Sequence, residues 1–285
     1  MLLHGIDYMF KEWNDFMIKK FVNNIEVAKN YDKLPGYSKL CIEYLKNNYF
    51  NNVNVCDVGS GTGKLINDLI NLNINIFSVE PDSDMKKICD DKFNKFSNYK
   101  SYLGNAYDTL LDDNSMDYIV VGQALHLFDL GEFKKEANRI LKNNKNIFII
   151  YNRYDFSNDI LYDMINLMLE CYPTCTLRYR KNHIIDDFIC EREANIRSCD
   201  ELFDVVELHR FSNKIVMDYD RFMDFAMSFE LYPITNLSSI DDIIANKEID
   251  ILRYKKGIIK IFRKYSVDDK ISIDIYTDLI KDKSI

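Results

Sequence analysis

Gly59, Gly61 and Gly63, three of the chain's nine glycines, fall in one short segment, Val55-Cys56-Asp57-Val58-Gly59-Ser60-Gly61-Thr62-Gly63-Lys64. Glycine permits positive φ and lets a ligand touch the backbone, so this clustering marks a ligand-cradling turn between a strand and a helix. Two familiar ligand classes fit poorly. A P-loop for nucleoside triphosphates needs a glycine where Val58 stands and a hydroxyl residue where Leu65 follows Lys64. A dinucleotide fingerprint needs a small residue at position 64, which is Lys64, so a nicotinamide-dependent oxidoreductase is disfavoured but kept as an alternative. What remains is Asp57-x-Gly59-x-Gly61-x-Gly63. Two further residues stand where chemistry is done in such sheets. Glu80 closes the next apolar run, and His126 lies five residues beyond the run Tyr118–Val121, with a ring able to take a proton near neutral pH.

The elements that must position these residues follow from hydrophobic periodicity. The pattern predicts helices over Ile6–Val27, carrying Trp13, and Ser38–Asn48, the latter opening on a Ser cap. It then predicts strands at Val53–Val58, Ile74–Val79, Tyr99–Leu103, Tyr118–Val121 and Ile147–Tyr151, separated by helices at Gly63–Leu72, Ser83–Phe96 and Gly131–Leu141. This alternation is that of an α/β, doubly wound parallel sheet with right-handed crossovers. The second half is less regular. Helices are expected at Asp159–Cys171, Tyr219–Phe229 and Ile240–Tyr265, one long strand or a bent pair at Leu202–Met217 and a closing strand at Ile271–Tyr276, with a polar stretch of no clear type from Thr174 to Cys199.

Composition narrows the partners. In the 285 residues, acidic side chains outnumber basic ones 45 to 37 for a net charge of −8, which argues against nucleic acid, whose binding wants a positive stripe. The chain is 47% hydrophobic, enough for a sizeable core. Cysteines at 41, 56, 89, 171, 175, 190 and 199 are odd in number and scattered, and no apolar leader precedes them, which suits reduced thiols and a cytoplasmic location. The Cys171-x3-Cys175 spacing lacks a matching second pair, so no metal is expected. No apolar run approaches the ~20 residues of a membrane span, so no membrane is expected either.

The glycine segment with its leading Asp57 resembles the first motif of class I S-adenosylmethionine-dependent methyltransferases, and the likeness to their small-molecule (type 11-like) subgroup runs over roughly residues 30–155. The resemblance implies a Rossmann-like seven-stranded sheet whose last strand is antiparallel. It implies that S-adenosyl-L-methionine is the cofactor and S-adenosyl-L-homocysteine the product. It places Asp57, Gly59, Ser60, Gly61 and Gly63 against the cofactor, and Glu80 at the ribose hydroxyls. Pro81 and Met85 follow in a segment similar to the family's helix start, with Met85 against the adenine, and Gly104-Asn105-Ala106 is similar to the loop at the adenine edge. The run Asp117–Asp129, with Gln123 on the cofactor side and His126 near the acceptor, is similar to the fourth strand and its loop. Tyr31–Tyr37 and Tyr151-Asn152-Arg153 are similar to segments on the substrate side, which makes Tyr31, Tyr37, His126 and Asn152 candidates for the acceptor. Leu34, Leu127 and Tyr107 depart from the family pattern there.

A methyl on a sulfonium is already electrophilic, so alignment supplies most of the effect. A base is needed only for a protonated nucleophile, and His126 is the candidate catalytic residue. The four prolines, at 35, 81, 173 and 233, are isolated, and none precedes a cysteine. The loops that methylate nucleic-acid bases are therefore missing, and a small molecule or short peptide is the expected acceptor. The expected organisation is one domain, 1–285. It comprises an N-terminal helical lid (1–50), a cofactor-binding core (51–153), helical cap insertions (154–200 and 219–265) and closing strands (201–218 and 266–285). A monomer or homodimer is expected, with a non-catalytic S-adenosylmethionine-binding protein as a further alternative.

Overall fold

The computed structural model describes residues 25–155, 157–171, 204–228 and 240–283. Residues 6–24 of the helix expected over Ile6–Val27, with Trp13, most of the polar stretch with Cys175, Cys190 and Cys199, and residues 229–239 lie outside the described residues. The helices are α1 (Ile25–Tyr31), α2 (Lys39–Asn48), α3 (Lys64–Leu69), α4 (Ser83–Phe93), α5 (Leu130–Ile140), α6 (Asp159–Cys171), α7 (Tyr219–Ser228) and α8 (Ile240–Tyr265). The strands are β1 (Val53–Val58), β2 (Ile74–Val79), β3 (Tyr99–Tyr102), β4 (Met116–Gly122), β5 (Leu141–Tyr154), β6 (Asp204–Met217) and β7 (Ile271–Lys283).

The seven strands are ordered β3-β2-β1-β4-β5-β7-β6, and the last strand is antiparallel. β1 runs parallel to β2, from Val53 opposite Ile74 to Val58 opposite Val79, and on its other side parallel to β4. The chain therefore winds outward through β2 and β3 and then crosses back to β4. The crevice between the carboxyl ends of β1 and β4 is the place where such sheets take ligands. Val55, Cys56, Val58, Ile119, Val120 and Val121 are buried, as expected for strands covered on both faces. α5 turns Phe133, Ala137 and Ile140 inward at helical spacing.

Several element bounds differ in detail from those expected. β5 begins at Leu141 rather than Ile147, because its register against β4 shifts between Met116 and Tyr118. Asn144 in the shifted stretch has φ +61°, a bulge that interrupts the apolar pattern. β7 runs on to Lys283. At the start of α2 the Ser38 hydroxyl donates to the Ser212 carbonyl (2.6 Å), and the turn is closed by the Ile42 N–H on the Ser38 carbonyl.

The described residues divide into two compact units. The first comprises 25–32, 45–150 and 281–283, and it holds the glycine turn and strands β1 to β4. The second comprises 33–44 and the described residues of 151–280. Its core is a cluster that includes Leu161 and Met164 of α6, Phe222 and Phe225 of α7, and Tyr254 and Ile258 of α8. Gly257, in the middle of the long α8, lets Leu167 of α6 pack against the helix backbone: a Cβ there would lie 2.4 Å from the Leu167 methyls, which would have to move.

Candidate functional site

All three glycines of the turn have positive φ, but they are required for different reasons. A Cβ on Gly59 would lie 2.8 Å from that of Ala124, and one on Gly63 would lie 2.6 Å from the Phe93 ring. These two glycines let the turn sit tightly on its neighbours. At Gly61 the nearest atoms would be Tyr31 Cε1 at 3.5 Å and Met85 Sδ at 3.9 Å, ordinary contact distances. Here a Cβ would meet no clash, only an aromatic ring and a thioether at contact distance. The turn is held to β2 by the Gly59 and Ser60 N–H groups, both donating to the Val79 carbonyl, and by the Ser60 and Ser78 hydroxyls at 2.7 Å.

Two buried carboxylates line the carboxyl ends of β1 and β2. Asp57 is 1% exposed, and neither of its oxygens has a hydrogen-bond partner among the described residues. Burial, aided by the charge of Glu80, pushes its carboxyl up to about 8. Glu80 accepts the Gly61 N–H on Oε2 (2.7 Å) and the Asp82 N–H on Oε1 (2.9 Å). Burial still raises it to about 7. Each Glu80 oxygen keeps a lone pair for a second donor. Glu80 thus shapes the turn as well as facing it, a double role its position at a strand end did not announce.

Asp82 caps α4 by accepting the Asp84 and Met85 N–H groups, each at 2.9 Å, which fixes where Met85 starts its path past Gly61. Pro81 between the two acids is exposed. In the loop after β3, Asn105 is exposed and accepts the Tyr107 and Asp108 N–H groups on its own side chain, forming a tight turn around the buried Ala106. Tyr107 reaches the loop after β4, where its hydroxyl accepts the Asp129 N–H at 2.7 Å. In that loop Gln123 holds φ +58°, its N–H donates to the Ile150 carbonyl, and its buried Oε1 has no partner among the described residues. A side-chain residue in this conformation is strained, and strain of this kind collects at ligand sites. His126 lies in the 3-10 turn Leu125–Leu127 and is exposed.

The structure brings Asp57, Gly59, Ser60, Gly61, Gly63, Glu80, Met85 and Tyr31 around one turn in the first unit. Tyr37 and Asn152 belong to the second unit. There Asn152 is buried, donating to the Pro35 and Gly36 carbonyls (3.4 and 3.0 Å) and accepting the Thr277 hydroxyl (2.7 Å). Among the described residues no group of three His, Cys, Asp or Glu side chains is arranged to hold a metal ion. Sequence reasoning missed Asp32, whose carboxylate accepts the Thr62 hydroxyl, and Ser78 behind Ser60, because both partnerships join distant parts of the chain.

The arrangement offers a glycine backbone approachable at Gly61, a second carboxylate with free lone pairs, and a buried carboxyl and an amide oxygen that are both without hydrogen-bond partners among the described residues. It suits a ligand that has a cationic end and hydroxyl donors. Comparison with known proteins agrees. A family described as "Methyltransferase domain" matches residues 56–149. An uncharacterized methyltransferase of Mycobacterium tuberculosis is 31% identical over 101 residues, 35% of this chain and 40% of that protein. One of Schizosaccharomyces pombe is 29% identical over 149 residues, 51% of this chain and 58% of that protein. The match therefore spans about half the length of these relatives or less. A solved structure from Anaeromyxobacter dehalogenans, described as a type II methyltransferase, shares the fold with a TM-score of 0.59. It is 15% identical, over 88% of this chain and 97% of that one. The core of this chain has the Rossmann-like methyltransferase fold.

Proposed function

We propose that this chain, whose residues 56–149 form a methyltransferase domain, uses S-adenosyl-L-methionine to methylate a small-molecule or short-peptide acceptor. The observation that carries this is Asp57: a buried carboxyl with no hydrogen-bond partner among the described residues, beside a glycine turn where a Cβ on Gly61 would meet only ordinary contacts from Tyr31 and Met85. Leaving an acid so placed is costly unless a ligand uses it. The residues fit the cofactor. Asp57 would face its cationic methionine end, Glu80 would accept ribose hydroxyls on its remaining lone pairs, and Met85 with the loop around Ala106 would flank the adenine. Gln123 would offer its amide oxygen.

When bound, the cofactor supplies a methyl group already activated on a sulfonium. The chain's own residues then have to orient the acceptor in line, exclude water and, for a hydroxyl or amine acceptor, remove a proton. His126, exposed on the loop after β4, is the residue we assign to that proton. Tyr31, Tyr37 and Asn152 we assign to the acceptor side, Asn152 by fixing the turn at residues 35–36. Nucleic acid is disfavoured by the net charge of −8. Among the described residues no helix is long and apolar enough to cross a membrane. From the scattered cysteines of the sequence, four of which are buried among the described residues, we place the protein in the cytoplasm.

The test is thermal melting with S-adenosylmethionine, S-adenosylhomocysteine or NADH, followed by a panel of metabolite acceptors. A ligand at 100 times its Kd adds about 2.7 kcal/mol of stability. Stabilisation by the first two alone is the expected result. Stabilisation by NADH alone would replace this reading with the oxidoreductase, and cofactor binding with no methylated product across the panel would favour a non-catalytic binder.

A further inference from the structure

α1 ends at Tyr31, and the next residue ties the segment to the glycine turn at several points. Asp32 Oδ1 accepts the Thr62 hydroxyl (2.8 Å) and the Lys92 ammonium (2.6 Å). Lys92 also donates to the Thr62 carbonyl (3.0 Å), and Lys64 donates to the Asp32 carbonyl (2.7 Å). One carboxylate thereby joins the end of α1, the turn itself through Thr62, and the last turn of α4 through Lys92. The backbone of the same residue is held by the first residue of α3.

A lone ion pair this exposed, with side chains 32% and 34% accessible, contributes little to folding. Three features make this one more specific. Thr62 is fully buried, so its hydroxyl requires the acceptor that Asp32 provides. The lysine at position 64, which spoils the dinucleotide fingerprint, is given a use. The neighbouring Tyr31 places its ring edge 3.5 Å from where a Cβ of Gly61 would stand.

We propose that Asp32 is a positioning residue for cofactor retention: through Thr62, Lys92 and Lys64 it docks the end of α1 so that Tyr31 covers the Gly61 side of the turn. Asp32 touches no reacting atom and acts through Tyr31. The inference rests on the reading of this turn as the S-adenosylmethionine site.

The experiment compares the full-length chain with D32N, K92M, the double variant and D32E, and uses K87M as control, because Lys87 pairs with Asp91 on the exposed face of α4. Hydrogen exchange of the amides of residues 25–31, measured without ligand, should speed up in D32N and K92M but not in K87M. S-adenosylmethionine dissociation, followed by stopped flow, should be about tenfold faster in D32N and K92M, with Kd weakened to match. That is the lower end of what charge-assisted hydrogen bonds contribute, given the exposure. The double variant should be no worse than the worse single one, and D32E should recover most of the affinity. A lowered melting temperature in D32N and K92M with wild-type dissociation rate and Kd would make the pair merely structural and overturn the proposal. Failure of the wild-type chain to bind S-adenosylmethionine would instead overturn the functional reading.

Discussion

Asp57 in the first unit and Asp278 in the second are buried alike, 1% and 2% exposed, yet their surroundings are opposite. Asp278 receives two hydrogen bonds from Arg210, at 2.7 and 2.9 Å, and faces Arg153 at 3.5 Å. Asp57 receives none from any described residue. The contrast is one of degree, since the Ser272 hydroxyl of the second unit is also buried with no hydrogen-bond partner among the described residues. In the second unit Asp163 is bound by Lys264 and Tyr265, and the Asn152 amide is used at both ends. In the first unit Asp57 and the Gln123 amide oxygen, without hydrogen-bond partners among the described residues, lie at or next to the carboxyl ends of β1 and β4. A buried polar group that is satisfied by its own chain holds the fold together, whereas one that is left unsatisfied at a strand end is kept for something outside the chain.

The contrast is tested most severely at Gly61. Gly61→Val should reduce S-adenosylmethionine affinity by more than ~100-fold, since a β-branched side chain would block approach to the backbone and resist positive φ. Calorimetry showing wild-type affinity in a folded variant would remove the turn from the site. Next comes His126, exposed where the acids are buried. His126→Gln should lower turnover with a productive acceptor by about 10²–10⁴-fold while sparing cofactor affinity, because an amide cannot take a proton at neutral pH. A fully active variant would eliminate the base and leave alignment as the mechanism.

A paired substitution addresses the acids directly. Asp57→Asn should leave the ligand-free melting temperature unchanged or higher while weakening cofactor binding about tenfold. Arg210→Ala should cost about 1–3 kcal/mol of stability by unpairing Asp278, with Arg153 limiting the loss. If Asp57→Asn destabilised the free protein as much as Arg210→Ala, the distinction between the units would collapse.

The smallest effect is on pH. The folded-state carboxyls of Asp57 and Glu80 are raised to about 8 and about 7, against ordinary values of 3.8 and 4.5. The native state then holds more protons than the unfolded one between about pH 4 and pH 8, so ligand-free stability should fall as pH rises through that range. Binding of a cationic cofactor favours the ionised acids, so affinity should rise from pH 6 to pH 8. Melting curves and calorimetry across this window check both signs. Asp57→Asn should flatten the upper part, and a pH-independent wild type would show that the acids are solvated.

Much of the first unit was legible in the sequence. β1 and β2 occupy Val53–Val58 and Ile74–Val79, the spans their apolar runs mark, because a strand covered on both faces reads as continuous hydrophobic sequence. α6 and α8 likewise match their periodic stretches, Asp159–Cys171 and Ile240–Tyr265. Asn143-Asn144 hid the start of β5, because a bulge breaks the alternation on which a strand is read. The division near residue 150 falls inside β5, with no Gly- or Pro-rich linker to mark it.

The sequence by itself determined the order of elements, the glycine turn and the acids after β1 and β2, because period and residue type are local properties. Only the tertiary structure decided which glycine would admit a Cβ without a clash, which acid lacks a partner among the described residues and which acid is tied down. Gly59 and Gly63 look like Gly61 until Ala124 and Phe93 are brought against them. Asp57 looks like Asp278 until Arg210, 68 residues from Asp278 along the chain, reaches only one of them. Whether a buried charge is satisfied depends on what the fold brings within hydrogen-bonding distance, and that is set by contacts between residues far apart in sequence.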